Sequence, residues 1–284
     1  MSMTDTIPKS VSMPRDAAEL YLELLKGVLT RSLFDRHYHR YELPKGDPRR
    51  GLLASVQRLL ASRRLQLVRT VDAGLRAEGR DWPVDAESMI GTKRMDSLHS
   101  CIRAVLREGV PGDLIETGVW RGGSVIFMRA ALAAYGDPGR QVWVADSFRG
   151  LPPPDPRYAA DTGDVHHGFE SLAVSLDEVR ANFERYGMLD ERVRFLEGWF
   201  KDTLPTAPIE RLALARLDGD MYESTMDALR ALYPRLSVGG YLIVDDYGIV
   251  PACAKAVEDY RLEHAILEPV VDIDGWGMYW RRDR

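Results

Sequence analysis

The sequence predicts an open, mostly parallel α/β sheet with helices on both faces, preceded by a helical N-terminal segment and closed by an antiparallel pair. Three observations carry this. From about residue 113 onward, short apolar runs bounded by turn residues alternate with helix-period segments. One junction, Asp113-Leu-Ile-Glu-Thr-Gly-Val-Trp-Arg-Gly-Gly-Ser124, turns on glycine from strand directly into helix. Carboxylates stand at the ends of further strands, at Asp146, at Asp218 and at Asp245 with Asp246.

In chain order, Met1 to Ser12 lack a hydrophobic core and read as a disordered lead-in rather than a secretory signal. Pro14 and Asp16 start a first amphipathic helix within 14–34, followed by a polar loop from His37 to Arg50 whose histidines, at i and i+2, are not read as ligands. A second helix is expected over Leu52–Ala77. After the acidic loop Trp82–Met89 comes a helix over Lys93–Leu106. Strands are then predicted at 113–117, 141–146, 192–196, 212–218 and 239–246, and helices at 123–135, 176–186, 223–234 and 251–263. The closing antiparallel pair falls at 267–273 and 276–281, across Asp274-Gly275. This divides the chain into the lead-in 1–12, a helical lid or oligomerisation arm 13–84, and a ligand-binding domain 85–284.

The 284 residues, 45% apolar and 29% charged with a net charge of −5, suit a globular protein, and no apolar run reaches the length of a membrane span. Residues 1–80 hold 15 Lys and Arg against 9 Asp and Glu. Those charges are spaced along amphipathic helices without interleaved stacking aromatics, which argues against nucleic acid as a partner and for a solvated helical face. The two cysteines, Cys101 and Cys253, lack metal-ligand spacing and read as packing residues in a reducing, cytoplasmic setting.

A dinucleotide-binding turn reads G-x-G-x-x-G, whereas here Glu116 precedes Gly118 and the next glycines are Gly122 and Gly123. Those two glycines are expected to leave the first helical turn, begun by Ser124, bare for a ligand. With Asp146 placed for two ribose hydroxyls, Glu116, Gly118, Ser124 and Asp146 suit S-adenosylmethionine. The irregular stretch Ser147–Ser175 leaves the same sheet edge and reads as a mobile substrate-binding loop, with His166 and His167 as candidates for proton chemistry.

Asp218, Asp245 and Asp246 end adjacent parallel strands and are expected to share one crevice. Three ionised carboxylates there need a counter-charge, and all-oxygen ligation points to Mg²⁺; the competing reading makes them helix caps. Methyl transfer requires an aligned nucleophilic oxygen that loses its proton. A metal chelated by vicinal hydroxyls would orient the acceptor, and Asp220, facing the same crevice, is the candidate general base.

The motifs Glu116-Thr-Gly-Val-Trp-Arg-Gly-Gly123, Val144-Ala-Asp-Ser-Phe148, Gly198-Trp-Phe-Lys-Asp-Thr-Leu-Pro205, Asp218-Gly-Asp220 and Val244-Asp-Asp-Tyr247, in this order, resemble the macrocin O-methyltransferase (TylF-type) family over roughly 85–284. The resemblance implies a class I methyltransferase (Rossmann-like) seven-stranded sheet with an N-terminal helical lid. It implies S-adenosylmethionine as donor, metal at Asp218, Asp245 and Asp246, and a base at Asp220. Met89 and Ile90 would pack against the cofactor, Asp146 and Ser147 meet its ribose, and Gly198 and Trp199 flank its adenine. The family implies a homo-oligomer (dimer or tetramer) and a hydroxyl on a deoxysugar of a glycosylated natural product as acceptor. Two alternatives are a catechol-type O-methyltransferase acting on an aromatic diol and a non-catalytic S-adenosylmethionine-binding protein.

Overall fold

The computed structural model describes residues 16–34, 36–43 and 46–284; the expected lead-in 1–12 lies outside them. The chain begins with α1 (Ala17–Leu29), where the Asp16 carboxylate accepts from the Ala18 N–H at 3.3 Å. Leu22, Leu25 and Leu29 lie along one side at helical spacing and are buried. They join the same apolar cluster as Leu98, Ile102 and Phe127, so the N-terminal helix shares the core of the sheet domain.

The next stretch departs from expectation. His37–Arg40 forms a strand, β1, rather than a loop, and the expected helix over Leu52–Ala77 is three elements: α2 (Arg50–Ala61), β2 (Val68–Val71) and α3 (Ala73–Ala77). β1 and β2 pair antiparallel as a separate two-stranded sheet. The break has local causes. Arg64 adopts a φ of +58°, the β-branched Val68, Thr70 and Val71 favour a pleated strand, and Asp72 opens a new helix by accepting from Gly74 N–H at 2.7 Å.

The main domain then runs α4 (Gly91–Arg107), β3 (Asp113–Thr117), α5 (Gly123–Ala134), β4 (Val142–Asp146), α6 (Leu176–Arg185), β5 (Val193–Glu197), α7 (Phe200–Thr203), β6 (Leu212–Leu217), α8 (Tyr222–Leu232), β7 (Leu236–Val244), α9 (Pro251–Glu263), β8 (Val271–Asp272) and β9 (Met278–Arg281). Its seven strands lie in the order β5-β4-β3-β6-β7-β9-β8. The first five are parallel, and β9 pairs antiparallel with both β7 and β8. β8 is shorter than expected, because Pro269 has no N–H to give a ladder. β6 is buried at every position, as a strand covered by helices on both faces should be.

From β3 the chain winds outward through β4 to β5, then returns to β6 on the other side of β3. The strand order reverses there, and the crevice above the C-terminal ends of β3 and β6 is where such a sheet receives a ligand.

Candidate active site

A cavity of about 460 Å³ opens at that crevice. Of the twelve residues besides Gly198 singled out from the sequence, all line it: Met89, Ile90, Glu116, Gly118, Ser124, Asp146, Ser147, Trp199, Asp218, Asp220, Asp245 and Asp246. Gly198 stands just behind, with φ +144°, and its N–H donates to Asp146 O at 2.9 Å.

The glycines at this junction divide into two roles. Gly118 has a φ of +82°, and a Cβ there would fall 1.7 Å from the carbonyl oxygen of Asp218. It permits the close turn expected of it and lets strand ends β3 and β6 close on each other. At α5, the Gly123 N–H donates to Glu87 O at 2.9 Å, and a Cβ would collide with Ser88 and Glu87. The first turn expected to be bare is covered by the Glu87–Ser88 segment, which carries Met89 and Ile90 into the cavity wall.

Asp146, at the end of β4, is held by two backbone donors: Val119 N–H to Oδ2 and Phe148 N–H to Oδ1, both 2.8 Å. Burial nevertheless raises its pKa. Ser147 Oγ donates to Gly150 O at 2.7 Å and closes the turn that follows.

The acids divide into two groups. Glu116 and Asp245 are almost fully buried and bound to arginines: Arg216 donates to Glu116 and Asp245, and Arg94 to Asp245. Arg216 also donates to Asp218 Oδ2 at 2.9 Å, Arg94 pairs with Asp274 at 3.2 Å, and Ser124 Oγ donates to Glu116. Burial still pushes the Glu116 carboxyl up to about 7. The second group is Asp218, Asp220 and Asp246, each offering an oxygen within 4.8 Å of the others. It brings together Asp218 and Asp246 of the expected metal trio with Asp220, the expected base. The third member, Asp245, has both oxygens bound to guanidinium groups.

This second group is short of positive charge. Burial, then the charge of Asp218, raises Asp220 to about 7. Burial, then the charges of Asp220 and Asp218, drives Asp246 well above the usual carboxylate range, and its buried Oδ2 has no hydrogen-bond partner. An orphaned buried oxygen within an all-carboxylate cluster is what a hard divalent cation satisfies, so these residues fit Mg²⁺.

Sequence reasoning missed Arg94 and Arg216. Arg216 had a signal, a lone cation inside the apolar run Leu212-Ala-Leu-Ala-Arg-Leu217; Arg94 had none, being one of two adjacent basic residues, with Lys93, at a helix start. It also missed Trp82 and Trp276, which reach the cavity from the N-terminal segment and from the β8–β9 turn. His166 does line the cavity: its Nδ1 is hydrogen-bonded to Asp164 Oδ2 at 2.7 Å, which raises its pKa. The stretch Ser147–Ser175 is anchored at its far end. Trp120 Nε1 donates to Ser171 O at 2.9 Å, and the Glu170 N–H donates to Glu42 Oε1 at 2.8 Å.

The seven-stranded order and a cavity at its switch point, edged by an acid at the end of β4, define a class I methyltransferase domain. Residues 18–282 match the macrocin-O-methyltransferase (TylF) family, and the chain belongs to it. That match starts in α1 and so takes in the N-terminal segment as well as the stretch from 85 that carries the motifs. The chain is 51% identical over 277 residues, 95% of each protein, to 8-demethyl-8-(2,3-dimethoxy-alpha-L-rhamnosyl)-tetracenomycin-C 4'-O-methyltransferase of Streptomyces olivaceus. It is 47% identical over 269 residues, 94% of this chain and 95% of the relative, to demethyldecarbamoylnovobiocin O-methyltransferase of Streptomyces niveus. Among solved structures it resembles the O-methyltransferase NovP, with a TM-score of 0.81 and 46% identity over 94% of this chain and 100% of that one. The protein is an S-adenosylmethionine-dependent O-methyltransferase.

Proposed function

We propose that this enzyme is Mg²⁺-dependent and methylates a hydroxyl on a sugar, a deoxysugar above all, of a glycosylated natural product. The observation that carries the reading is the orphaned oxygen of Asp246 inside the Asp218, Asp220 and Asp246 cluster, beside a cavity walled by the residues expected for the cofactor. A rhamnosyl group on the acceptor of the Streptomyces olivaceus relative supports a sugar hydroxyl.

S-adenosylmethionine supplies an electrophilic methyl group on a sulfonium centre. In this reading Asp146 and Ser147 hold its ribose, Trp199 with Gly198 behind it flanks the adenine, and Met89 and Ile90 pack against it. Glu116 and Ser124 form a polar floor kept rigid by Arg216. Asp218 and Asp246 would hold the cation, which supplies chelation of neighbouring hydroxyls and lowers their pKa. Asp220 completes the oxygen cluster and takes the hydroxyl proton as the acceptor oxygen bonds to the methyl carbon and the carbon–sulfur bond breaks; the proton then leaves to water. The N-terminal segment acts as a lid over the acceptor.

A cytoplasmic, homo-oligomeric enzyme completes the reading. Its supports are the two buried free thiols, Cys101 and Cys253, and a helix α2 with no buried residue that exposes Leu52, Val56 and Leu59 on one side.

Calorimetric titration of S-adenosylmethionine, and of Mg²⁺ after EDTA treatment, tests the site. Wild type is expected to bind both. Asp218→Ala should bind the cofactor but lose metal binding and transfer to the rhamnosyl tetracenomycin acceptor. Asp220→Asn should keep cofactor affinity while turnover drops by about 10²–10⁴. Full turnover in Asp220→Asn removes that residue as base, and undiminished transfer after exhaustive metal removal sinks the metal.

A further inference from the structure

Between β4 and α6 the chain forms a strap of three short 3₁₀ turns, Ala159–Asp161, His166–Gly168 and Glu170–Leu172. Asp161 is 1% exposed, yet it pairs with no cation among the described residues. Its Oδ1 accepts from the Tyr222 N–H at 2.6 Å and its Oδ2 from the Glu223 N–H at 3.1 Å. These are the first two N–H groups of α8, whose own N-cap residue, Met221, makes no side-chain cap. A helix start needs such acceptors, and its dipole favours an anionic one. Here the acceptor comes from 61 residues earlier in the chain.

That position matters because α8 directly follows the Asp218-Gly-Asp220 turn, where Asp220 is held at a φ of +55°. Asp161 also passes the fixation on. Its carbonyl accepts from the Asp164 N–H at 3.1 Å, and the Asp164 carboxylate binds both the His166 N–H at 2.8 Å and His166 Nδ1 at 2.7 Å. One hydrogen-bonded chain thus links the acid-bearing turn, through α8, to His166, and both His166 and Asp220 line the cavity. Tyr158, beside Asp161 in the strap, packs its ring 5.7 Å from that of Tyr222.

We propose that Asp161 is a positioning residue: capping α8 from a distance, it sets the strap in register with the Asp218-Gly-Asp220 turn and fixes where His166 meets the acceptor. This rests on reading the cavity as the methyl-transfer site. A cap serving only its helix needs no carboxylate from a remote loop, whereas this one ties two walls of the cavity together.

The test compares full-length wild type with Asp161→Ala, Asp161→Asn, His166→Gln and the double variant Asp161→Ala/His166→Gln. The readouts are amide hydrogen exchange, calorimetric affinity for S-adenosylmethionine, and kcat and KM on the rhamnosyl tetracenomycin acceptor. In Asp161→Ala, exchange over residues 157–169 should rise by about tenfold or more while β3, β4 and β6 stay protected. Cofactor affinity should hold within about twofold, and kcat should fall by about tenfold or more, with Asp161→Asn recovering part of it because its amide oxygen still caps. The double variant should be no slower than the slower single variant, since Asp161 acts through His166. Unchanged strap protection overturns the proposal, as does a loosened strap with wild-type kcat, or losses that multiply in the double variant. If Asp161→Ala does not fold, Asp161→Asn carries the comparison. If wild type methylates no sugar hydroxyl, the functional reading has failed, and strap protection alone then decides whether Asp161 is the fastening.

Discussion

Asp246 shows how much of this site is decided by single atoms. Its Oδ2 is buried without a partner, while the adjacent Asp245 has both oxygens bound to Arg94 and Arg216. Two consecutive acids at one strand end therefore have different chemistry: one is neutralised inside the protein and the other lacks a counter-charge. Asp218, Asp220 and Asp246 all have raised pKa values, Asp220 to about 7. A carboxyl whose pKa is raised by folding binds more protons in the folded state, so its contribution to stability is present at low pH and is lost as pH rises through the folded pKa. The metal-free enzyme should consequently lose thermal stability between the ordinary carboxylate range, near pH 4, and about 7 or above. Mg²⁺ should restore it, most strongly at the upper end, because the cation replaces the protons. Melting curves after EDTA treatment, with and without MgCl₂ across this range, check both signs. A melting temperature that climbs through the window without metal would contradict the charge balance described here.

Among elements, the joint between β3 and β6 is the most constrained. Asp218 N–H donates to Thr117 O and Gly118 N–H to Ala145 O, both at 2.9 Å, so three strand ends are tied at the cavity floor. Gly118→Ala places a methyl group 1.7 Å from the Asp218 carbonyl, at a φ of +82°. The strands must part, and the expected loss is about 3–5 kcal/mol, the range of severe single substitutions. Urea unfolding measures it, and a midpoint unchanged from wild type would show that the joint yields freely. Gly118 was visible in the sequence as a turn glycine. Its partner was not, because Asp218 lies a hundred residues away and only the sheet order brings the two together.

For the whole molecule, the N-terminal segment behaves in two ways. α1 is part of the core through Leu22, Leu25 and Leu29, whereas α2 buries nothing and exposes Leu52, Val56 and Leu59 at i, i+4 and i+7. If that face pairs subunits, Leu52→Glu/Leu59→Glu should convert the oligomer to monomer in light scattering with little change in cofactor affinity. A wild-type enzyme that is already monomeric at micromolar concentration rejects the assignment. The break of the expected helix over 52–77 belongs to this scale too. Its apolar residues satisfy a helical pattern, but the local break at Arg64 and the mostly β-branched run Val68–Val71 are completed by a ladder partner in β1, and that pairing settles the element.

The strand–helix alternation after residue 113, the Glu116-x-Gly118 turn and the acids closing β4, β6 and β7 were legible from sequence because they are local: periodicity, turn chemistry and charge at the end of an apolar run. They determined the fold class, the class of cofactor and the neighbourhood of the acids. Which acids share a cluster was decided only in three dimensions. Arg94 comes from α4 and Arg216 from β6, and their two guanidinium groups claim Asp245 and leave Asp246 to Asp218 and Asp220. Burial makes that pairing compulsory, since a charge deep in the protein must find a partner, and no sequence spacing records which one lies within reach.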